Sequence, residues 1–422
     1  MKRYESYKPS GISWIGEIPS HWEEKKAKYL FIRQNRMVNV EDDVITCFRD
    51  GQVTLRKNRR TTGFTESFKE YGYQGIRKGD LVIHQMDAFA GSTGISDSNG
   101  KGTPVYIVCT PANANVYNPF FGHVIRYMGL NGYIMSLYKG IRERSSNFSY
   151  DVFCQQYLPF PPLDEQKKIV EYLSTKTLLI DAQQRERERE LRLLEELKQA
   201  EIANVVTRGL NPDVPKKDSG IPWVGQIPSH WNVKRLGAFF NNNISSNSEY
   251  KFDKAYKFNY GTIVPKNEIG DVSDLKETYL KYSILKKNDI IINGLNLNYD
   301  FVSQRVAISP ADCIITSAYI VLRPVSNTYS LYFLQLFKAM DSQKLFHGMG
   351  TGIRLTLSFN ELKSQMLPIP PIEEQRAIVE YIEQKNKAID DMIANLRAEI
   401  DFLTEYKQRL IADAVTGQIK ID

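Results

Sequence analysis

Residues 10–23, SGISWIGEIPSHWE, return as residues 219–232, SGIPWVGQIPSHWN, with ten of fourteen positions identical at an offset of 209. A repeat this close, at one fixed offset, has to be read before any single element, because it sets the architecture. A second pair keeps the offset: LPFPPLDEQKKIVEYLSTKTLLID from Leu158 and LPIPPIEEQRAIVEYIEQKNKAID from Leu367 agree at thirteen of twenty-four positions. The register runs on without a gap through Glu196/Glu405, Lys198/Lys407, Gln199/Gln408, Ile202/Ile411 and Val206-Thr207/Val415-Thr416. The 422-residue chain is therefore a duplication, with about half its length in each copy.

Between the matched blocks, from about Glu23 to Tyr157 and from Asn232 to Met366, the copies are equal in length and differ almost everywhere. Tyr73, Lys78 and Asp80-Leu-Val-Ile still stand opposite Tyr282, Lys287 and Asp289-Ile-Ile-Ile. Gly140-Ile-Arg142 and Gly352-Ile-Arg354 match at an offset of 212, so a small insertion intervenes. Short β-branched and aromatic runs (Asp80 to His84, Pro104 to Cys109, Asp289 to Ile292, Val302 to Ile308, Cys313 to Leu322) are separated by Gly, Asn, Asp and Pro, which is a strand pattern. Helical stretches are expected at Asn118 to Tyr127 and Tyr329 to Phe346. Each variable stretch reads as an α+β module with a curved, mostly antiparallel sheet.

The segments after Pro162 and Pro371 run for about 45 residues without Pro or Gly and open on Asp164-Glu165 and Glu373-Glu374, which suit a helix N-terminus. Each predicts one helix of roughly 65–70 Å at 1.5 Å per residue. In the second copy Ile382, Ile389, Leu396, Leu403 and Leu410 recur every seven residues, Ile393 and Ile400 fill the alternate seam, and Asn386 and Lys407 are polar seam positions. The first copy is a poorer heptad, with Leu173, Ile180, Leu191, Leu194 and Val205 near the seam and Gln184 and Arg187 in it. A tandem repeat with a pseudo-two-fold axis pairs the helices antiparallel, so the expected class is α+β: two globular modules with mixed sheets on two long antiparallel coiled-coil helices, a dumbbell with a spacer. The expected boundaries are 1–157 (with block 10–23), 158–208 for the central helical spacer, 209–366 (with block 219–232) and 367–422 for the C-terminal spacer.

Mean hydropathy of −0.38 and 25% charged residues describe an ordinary globular composition, and no apolar run approaches the roughly 18 residues a membrane span needs. With no secretory h-region and four dispersed cysteines, Cys47, Cys109, Cys154 and Cys313, a cytoplasmic chain without disulfide framework or zinc site is expected. The net charge of +6 is uninformative until it is partitioned. Residues 23–157 and 232–366 each carry +5, leaving −4 for the remaining segments. Two basic modules held apart by an acidic spacer suggest a bipartite DNA reader.

In the first module Arg56-Lys57-Asn58-Arg59-Arg60 combines phosphate-seeking cations with side chains that can pair with base edges, and Lys101, Arg142 and Arg144 are further candidates. In the second module Lys286, Lys287, Asn293, Asn296 and Arg354 are the counterparts. Leu191, Leu194, Asn386, Ile389, Ile393, Leu396, Ile400, Leu403 and Leu410 are the candidates for helix pairing or partner docking.

The tandem SGIxWxGxIPSHW blocks and LPxPPxxEQxxIVEYxxxK helices, with two dissimilar modules between them, resemble the specificity (S) subunit of type I restriction-modification enzymes over the whole chain. The resemblance implies a subunit without catalysis of its own: two target-recognition domains each reading half of a split, non-palindromic double-stranded DNA site, and helices that set the spacing and dock two methyltransferase (M) subunits. Restriction (R) subunits join that core, and S-adenosylmethionine, ATP and Mg belong to the partners, with no cofactor or metal of its own. Gly79-Asp-Leu-Val-Ile-His-Gln-Met86 through Gly91-Ser-Thr-Gly94 looks like a recognition-domain strand and Gly-rich loop of that family, from which the second module departs at Asn293-Gly-Leu-Asn296.

No catalytic residue is expected. A P-loop sequence is missing. Asn118-Pro-Phe-Phe121 lacks the second Pro of an amino-methyltransferase loop and reads instead as a helix N-cap followed by Pro. His21 and His230, with Trp22 and Trp231, read as structural residues that pack each module's start against the helices. The competing reading is a protein-interaction adaptor with two divergent binding modules on a helical spacer.

Overall fold

The computed structural model describes residues 2–39, 41–59, 71–137, 148–266, 272–299, 304–350, 352 and 355–422. The chain divides into two units, residues 1–187 with 398–422 and residues 188–397. Two mixed-sheet domains are linked by two long helices that pack together, Leu163–Arg208 and Ile372–Val415, of 46 and 44 residues. Each unit takes part of both helices.

In the first unit a four-stranded antiparallel sheet has the order Phe31–Arg33, Tyr106–Pro111, Leu81–His84, Thr93–Ile95. The central run Leu81-Val82-Ile83 is apolar throughout because both faces are covered. Leu81 and Ile83 join the core built on helix Asn118–Leu130, whereas Val82 joins a second cluster with Ile45, Cys47, Val53 and Ile76 from a hairpin, Ile45–Cys47 with Val53–Leu55, and an antiparallel pair, Gln74–Ile76 with Gly100–Gly102. Isolated parallel bridges tie the Ile45–Leu55 hairpin to its neighbours, Val44 to Lys101 of the second pair and Val53 to Ser96 after the edge strand Thr93–Ile95.

The second unit repeats this plan, with sheet order Phe240–Asn241, Ile320–Pro324, Ile290–Ile292, Val306–Ile308 and helix Ser330–Ser342. Ile290 and Ile292 face the helix core and Ile291 the hairpin cluster, the same alternation. Strand Leu81–His84 maps to Ile290–Ile292 at offset 209, yet the following edge strand maps Gly94, paired with Val82, to Ala307, paired with Ile291, at offset 213. The insertion inferred from the sequence therefore lies in the loop after the central strand. Helix burial resumes at offset 212: Phe120, Phe121, Val124, Ile125 and Met128 correspond to Tyr332, Phe333, Leu336, Phe337 and Met340, all buried. The Gly140–Arg142 match, like Arg354 of its counterpart, lies outside the described residues.

Asn118 is the first helical residue and not the N-cap, which is Tyr117. Its side-chain amide instead donates to Gly79 O at 3.0 Å, fixing the helix to the turn before the central strand. The sequence pattern gave the helix correctly and the role of Asn118 wrongly, because a distant carbonyl competed for the amide.

The long helices carry the heptad. Along Ile372–Val415, Ile382, Ile389, Ile393 and Leu410 are buried and Asn386, Leu396, Ile400, Leu403 and Lys407 half-buried, with their immediate neighbours exposed from Lys385 to Arg409. Leu191 and Leu194 are half-buried on the other helix. In the first unit Asp181 pairs with Lys407 at 2.5 Å, Gln184 Nε2 donates to Thr404 Oγ1 at 2.7 Å, and Arg187 pairs with Glu399 at 2.9 Å. In the second unit Lys198 pairs with Asp390 at 2.5 Å and Arg397 with Glu195 at 3.3 Å. Rising numbers on one helix meet falling numbers on the other, so the pairing is antiparallel. The Lys198–Asp390 pair is the Asp181–Lys407 pair shifted by 209, so the polar seam lysine repeats with its partner.

Candidate nucleic-acid interface

The repeated blocks hold each module to its helices through one glutamate. Trp22 is fully buried, and its indole N–H donates to Glu165 Oε2 at 2.9 Å while His21 Nε2 lies 2.7 Å from Oε1. Trp231 donates to Glu374 Oε2 at 2.9 Å, and His230 lies 2.8 Å from the same carboxylate. The next residues, Gln166 and Gln375, donate to Pro161 O and Pro370 O at 2.8 and 2.9 Å. The Pro-Pro-x-x-Glu-Gln and Ser-His-Trp motifs are thus two halves of one joint, charge-assisted and shielded by the indole. His21, Trp22, His230 and Trp231 have the structural role their sequence context indicates.

Each joint also receives the end of a long helix. Gly209 follows Arg208 with φ +75°, and a Cβ there would meet Trp231 at 3.2 Å; Gly417 follows the second helix with φ +73°, and a Cβ would meet Pro19 and Trp22. In the second unit chain continuity completes the joint. In the first the two termini do so non-covalently, through Tyr7 Oη to Gly417 O at 3.0 Å and Lys420 N to Lys2 O at 2.9 Å.

The matched Asp80 and Asp289 are buried and stand immediately before the central strand of each sheet. Asp80 accepts from Arg77 N and from the Arg36 guanidinium; Asp289 accepts from Lys286 N at 2.8 Å and from Arg323 at 2.7 Å. Equivalent carboxylates recruit arginines from different places, Arg36 after strand Phe31–Arg33 and Arg323 within strand Ile320–Pro324.

Of the candidate DNA contacts in the first module, Arg56, Lys57 and Asn58 form a short 3₁₀ turn after Val53–Leu55. Lys57 pairs with Asp43 at 2.5 Å, Asn58 donates to Thr54, and Arg59 pairs with Asp50 at 2.6 Å while its guanidinium lies over the Phe48 ring. Lys101 N donates to Asp43 O, so Lys101 joins this cluster. Arg60, Arg142 and Arg144 lie outside the described residues, as does Arg354. In the second module the candidates fall into two places. Lys286 and Lys287 are exposed in the turn before strand Ile290–Ile292, and Asn293 and Asn296 follow that strand. They sit at opposite ends of one strand, so the structure does not gather them into one cluster.

Sequence reading missed the second module's counterpart of the basic hairpin. Strands Tyr256–Asn259 and Thr262–Pro265 carry exposed Lys254 and Lys257 beside them, and Tyr260 at the tip is 71% exposed with φ +40°. The signal was available as register: this hairpin occupies the place of Ile45–Leu55, which precedes the Arg56 cluster. An exposed aromatic and cations on a hairpin can stack on and neutralise nucleic acid.

A cleft of about 910 Å³ in the first unit is lined by Thr93, His123, Arg126, Lys407 and Ile411 among others. Burial, with Arg126 nearby, pulls the His123 imidazole down to about 4. Among the described residues, no group of His, Cys, Asp and Glu is placed to hold a metal, and no helix is long and apolar enough to cross a membrane.

The fold is that of a duplicated two-domain protein on a paired-helix spacer, with basic hairpins and loops that differ between the domains. Residues 228–401 match the family model described as the type I restriction modification DNA specificity domain. A chain of Methanocaldococcus jannaschii, assigned as the type I restriction enzyme MjaX specificity subunit, is 24% identical over 96% of each chain. The type I restriction enzyme EcoBI specificity subunit of Escherichia coli is 26% identical over 69% of this chain and 65% of its own. A chain from a structural study of complex assembly and conformational transition of the type I R-M system shares the fold, with a TM-score of 0.70 at 15% identity over 95% of this chain and 99% of that one. The chain is thus similar to the specificity subunits of type I restriction enzymes, and residues 228–401 to their DNA specificity domain.

Proposed function

We propose that this chain reads a bipartite, non-palindromic double-stranded DNA site, one half per module, and docks two methyltransferase subunits along its helices. The reading domains are 1–157 and 209–366, and the helical spacers 158–208 and 367–422 set the distance between half-sites. The observation that carries this reading is the contrast between two matching His–Trp–glutamate joints and two different sets of loops on sheets of the same order. Common joints hold the modules in one way; divergent loops give them different targets, as duplicated readers need for unlike half-sites. Arg56, Lys57, Asn58, Arg59 and Lys101 are assigned to the first half, and Asn293, Asn296 and the Lys254–Lys257 hairpin to the second, with Lys286 and Lys287 as phosphate contacts. S-adenosylmethionine, ATP and Mg are assigned to the partner subunits, restriction subunits included.

Coexpression with a methyltransferase partner, followed by mapping of modified adenines, tests this. One split motif should appear and vanish when the chain is omitted; methylation unchanged without it ends the assignment. Binding to DNA should fall steeply with salt, whereas an adaptor would show no DNA binding even at low salt.

A further inference from the structure

In each module one arginine grips the loop that follows the central strand, and it grips main-chain oxygens. Arg126, on helix Asn118–Leu130, donates from Nη1 to Gly91 O at the end of the loop Gln85–Ser92, and to Arg49 O at 2.6 Å in the tip of the neighbouring hairpin. Arg49 itself pairs with Asp87 in the same loop at 2.8 Å. The approach is so close that a Cβ on Gly94 would lie 1.9 Å from Gly51 O, so only glycine fits there.

In the second module Arg305, next to edge strand Val306–Ile308, donates from Nη1 to Asn293 O at 3.0 Å and Leu295 O at 2.8 Å, and from Nη2 to Asn296 O at 3.3 Å. Its own N–H donates to the buried Asp341 at 2.7 Å. On the other side the loop is held by Leu297 N to Leu355 O at 3.1 Å and Leu357 N to Gly294 O at 2.9 Å.

These loops are where the two modules differ in length, by four residues. The arginines are not repeat equivalents: Lys338 stands at the helix position of Arg126, and Ser92 at the strand position of Arg305. Two divergent modules have thus reached the same device from different elements. A guanidinium on carbonyl oxygens, through Nη1 in Arg126 and through both Nη1 and Nη2 in Arg305, imposes loop shape through the main chain. Met86 in one loop and Asn296 and Asn298 in the other are exposed.

We propose that Arg126 and Arg305 are positioning residues of target reading, each fixing the shape of its module's loop and so the bases that module accepts. This rests on the bipartite DNA-reading function proposed above. Lysine keeps the charge but presents it as a compact, strongly hydrated ammonium on a flexible stem, without the planar, directed N–H groups that hold these oxygens.

The test uses the full chain with its methyltransferase subunits on a DNA library randomised at both half-sites, with modified adenines sequenced and thermal stability measured in parallel. Arg305→Lys should lower base discrimination in one half-site at least tenfold and leave the other unchanged; Arg126→Lys should do so in the opposite half. Gly294→Ala, whose Cβ would meet Leu357 O at 2.7 Å, displaces the second loop without touching Arg305 and should relax the same half as Arg305→Lys. Unchanged discrimination in both lysine variants, or an equal loss in both halves together with a lowered melting temperature, overturns the positioning role. A wild-type complex that yields no chain-dependent motif overturns the bipartite reading itself, and is distinguished because no variant is needed to see it.

Discussion

Glu165 accepts from His21 and Trp22, and Glu374 accepts from His230 and Trp231, with corresponding distances that agree within 0.1 Å. Past the central strand the same two modules diverge: one loop is held by Arg126 and the other by Arg305, and four more residues separate the paired positions Ile291 and Ala307 than separate Val82 and Gly94. The difference shows which contacts the duplication retains. A joint to a common helix pair has one geometry to satisfy, so both copies keep the residues that satisfy it, while the loops need only a sheet of the same order beneath them.

The largest effect is expected at the joints and along the seam. Trp22→Ala and Trp231→Ala should each cost about 3–5 kcal/mol by leaving a large cavity, while Tyr4 still donates to Glu165 and His230 still contacts Glu374. Hydrogen exchange should show the loss in one unit at a time and of equal size; unequal losses would break the equivalence of the joints. Replacing Leu396 and Leu403 by Asp places charges in the seam and should alter motif spacing or abolish methyltransferase docking, seen by size-exclusion of the complex and by methylome. Normal assembly with normal spacing would refute the paired spacer.

A smaller effect is expected at the basic turn. Arg59→Ala should weaken the first half-site only and lower the salt slope of binding by about one unit, as loss of one phosphate contact does. Equal weakening of both halves would contradict modular reading. The smallest is a pH effect confined to the first unit. His123 is held neutral by burial, so the unfolded chain takes up the proton first as pH falls. The stability from its neutral burial is full above about 6.5 and is lost as pH falls from there toward about 4. His123→Gln, the residue that Gln335 supplies at the equivalent helix position, should flatten unfolding curves across that window; an unchanged pH dependence would show that His123 is not the group responsible.

The duplication, the two long helices and the seam were legible in the sequence because periodicity and a fixed offset are properties of the chain itself. The strand Asp80-Leu-Val-Ile and its partner Asp289-Ile-Ile-Ile were legible for the same reason, as short apolar runs buried on both faces. Asn118 was misread because its amide bonds to Gly79, far away in sequence. The hairpin with Tyr260 was missed because its cations are scattered and gather only when the strands pair.

The sequence by itself determined a two-copy chain, α+β modules and an antiparallel helix pair, since hydrophobic spacing and repeat register encode which faces must be buried. Only the tertiary structure decided which carboxylate joins Ser-His-Trp to the helices, which arginine holds which loop, and that Lys286 and Lys287 stand at the other end of a strand from Asn293 and Asn296. Those contacts join residues up to 144 apart in the chain, and no local pattern records a partner that only folding brings within hydrogen-bond distance.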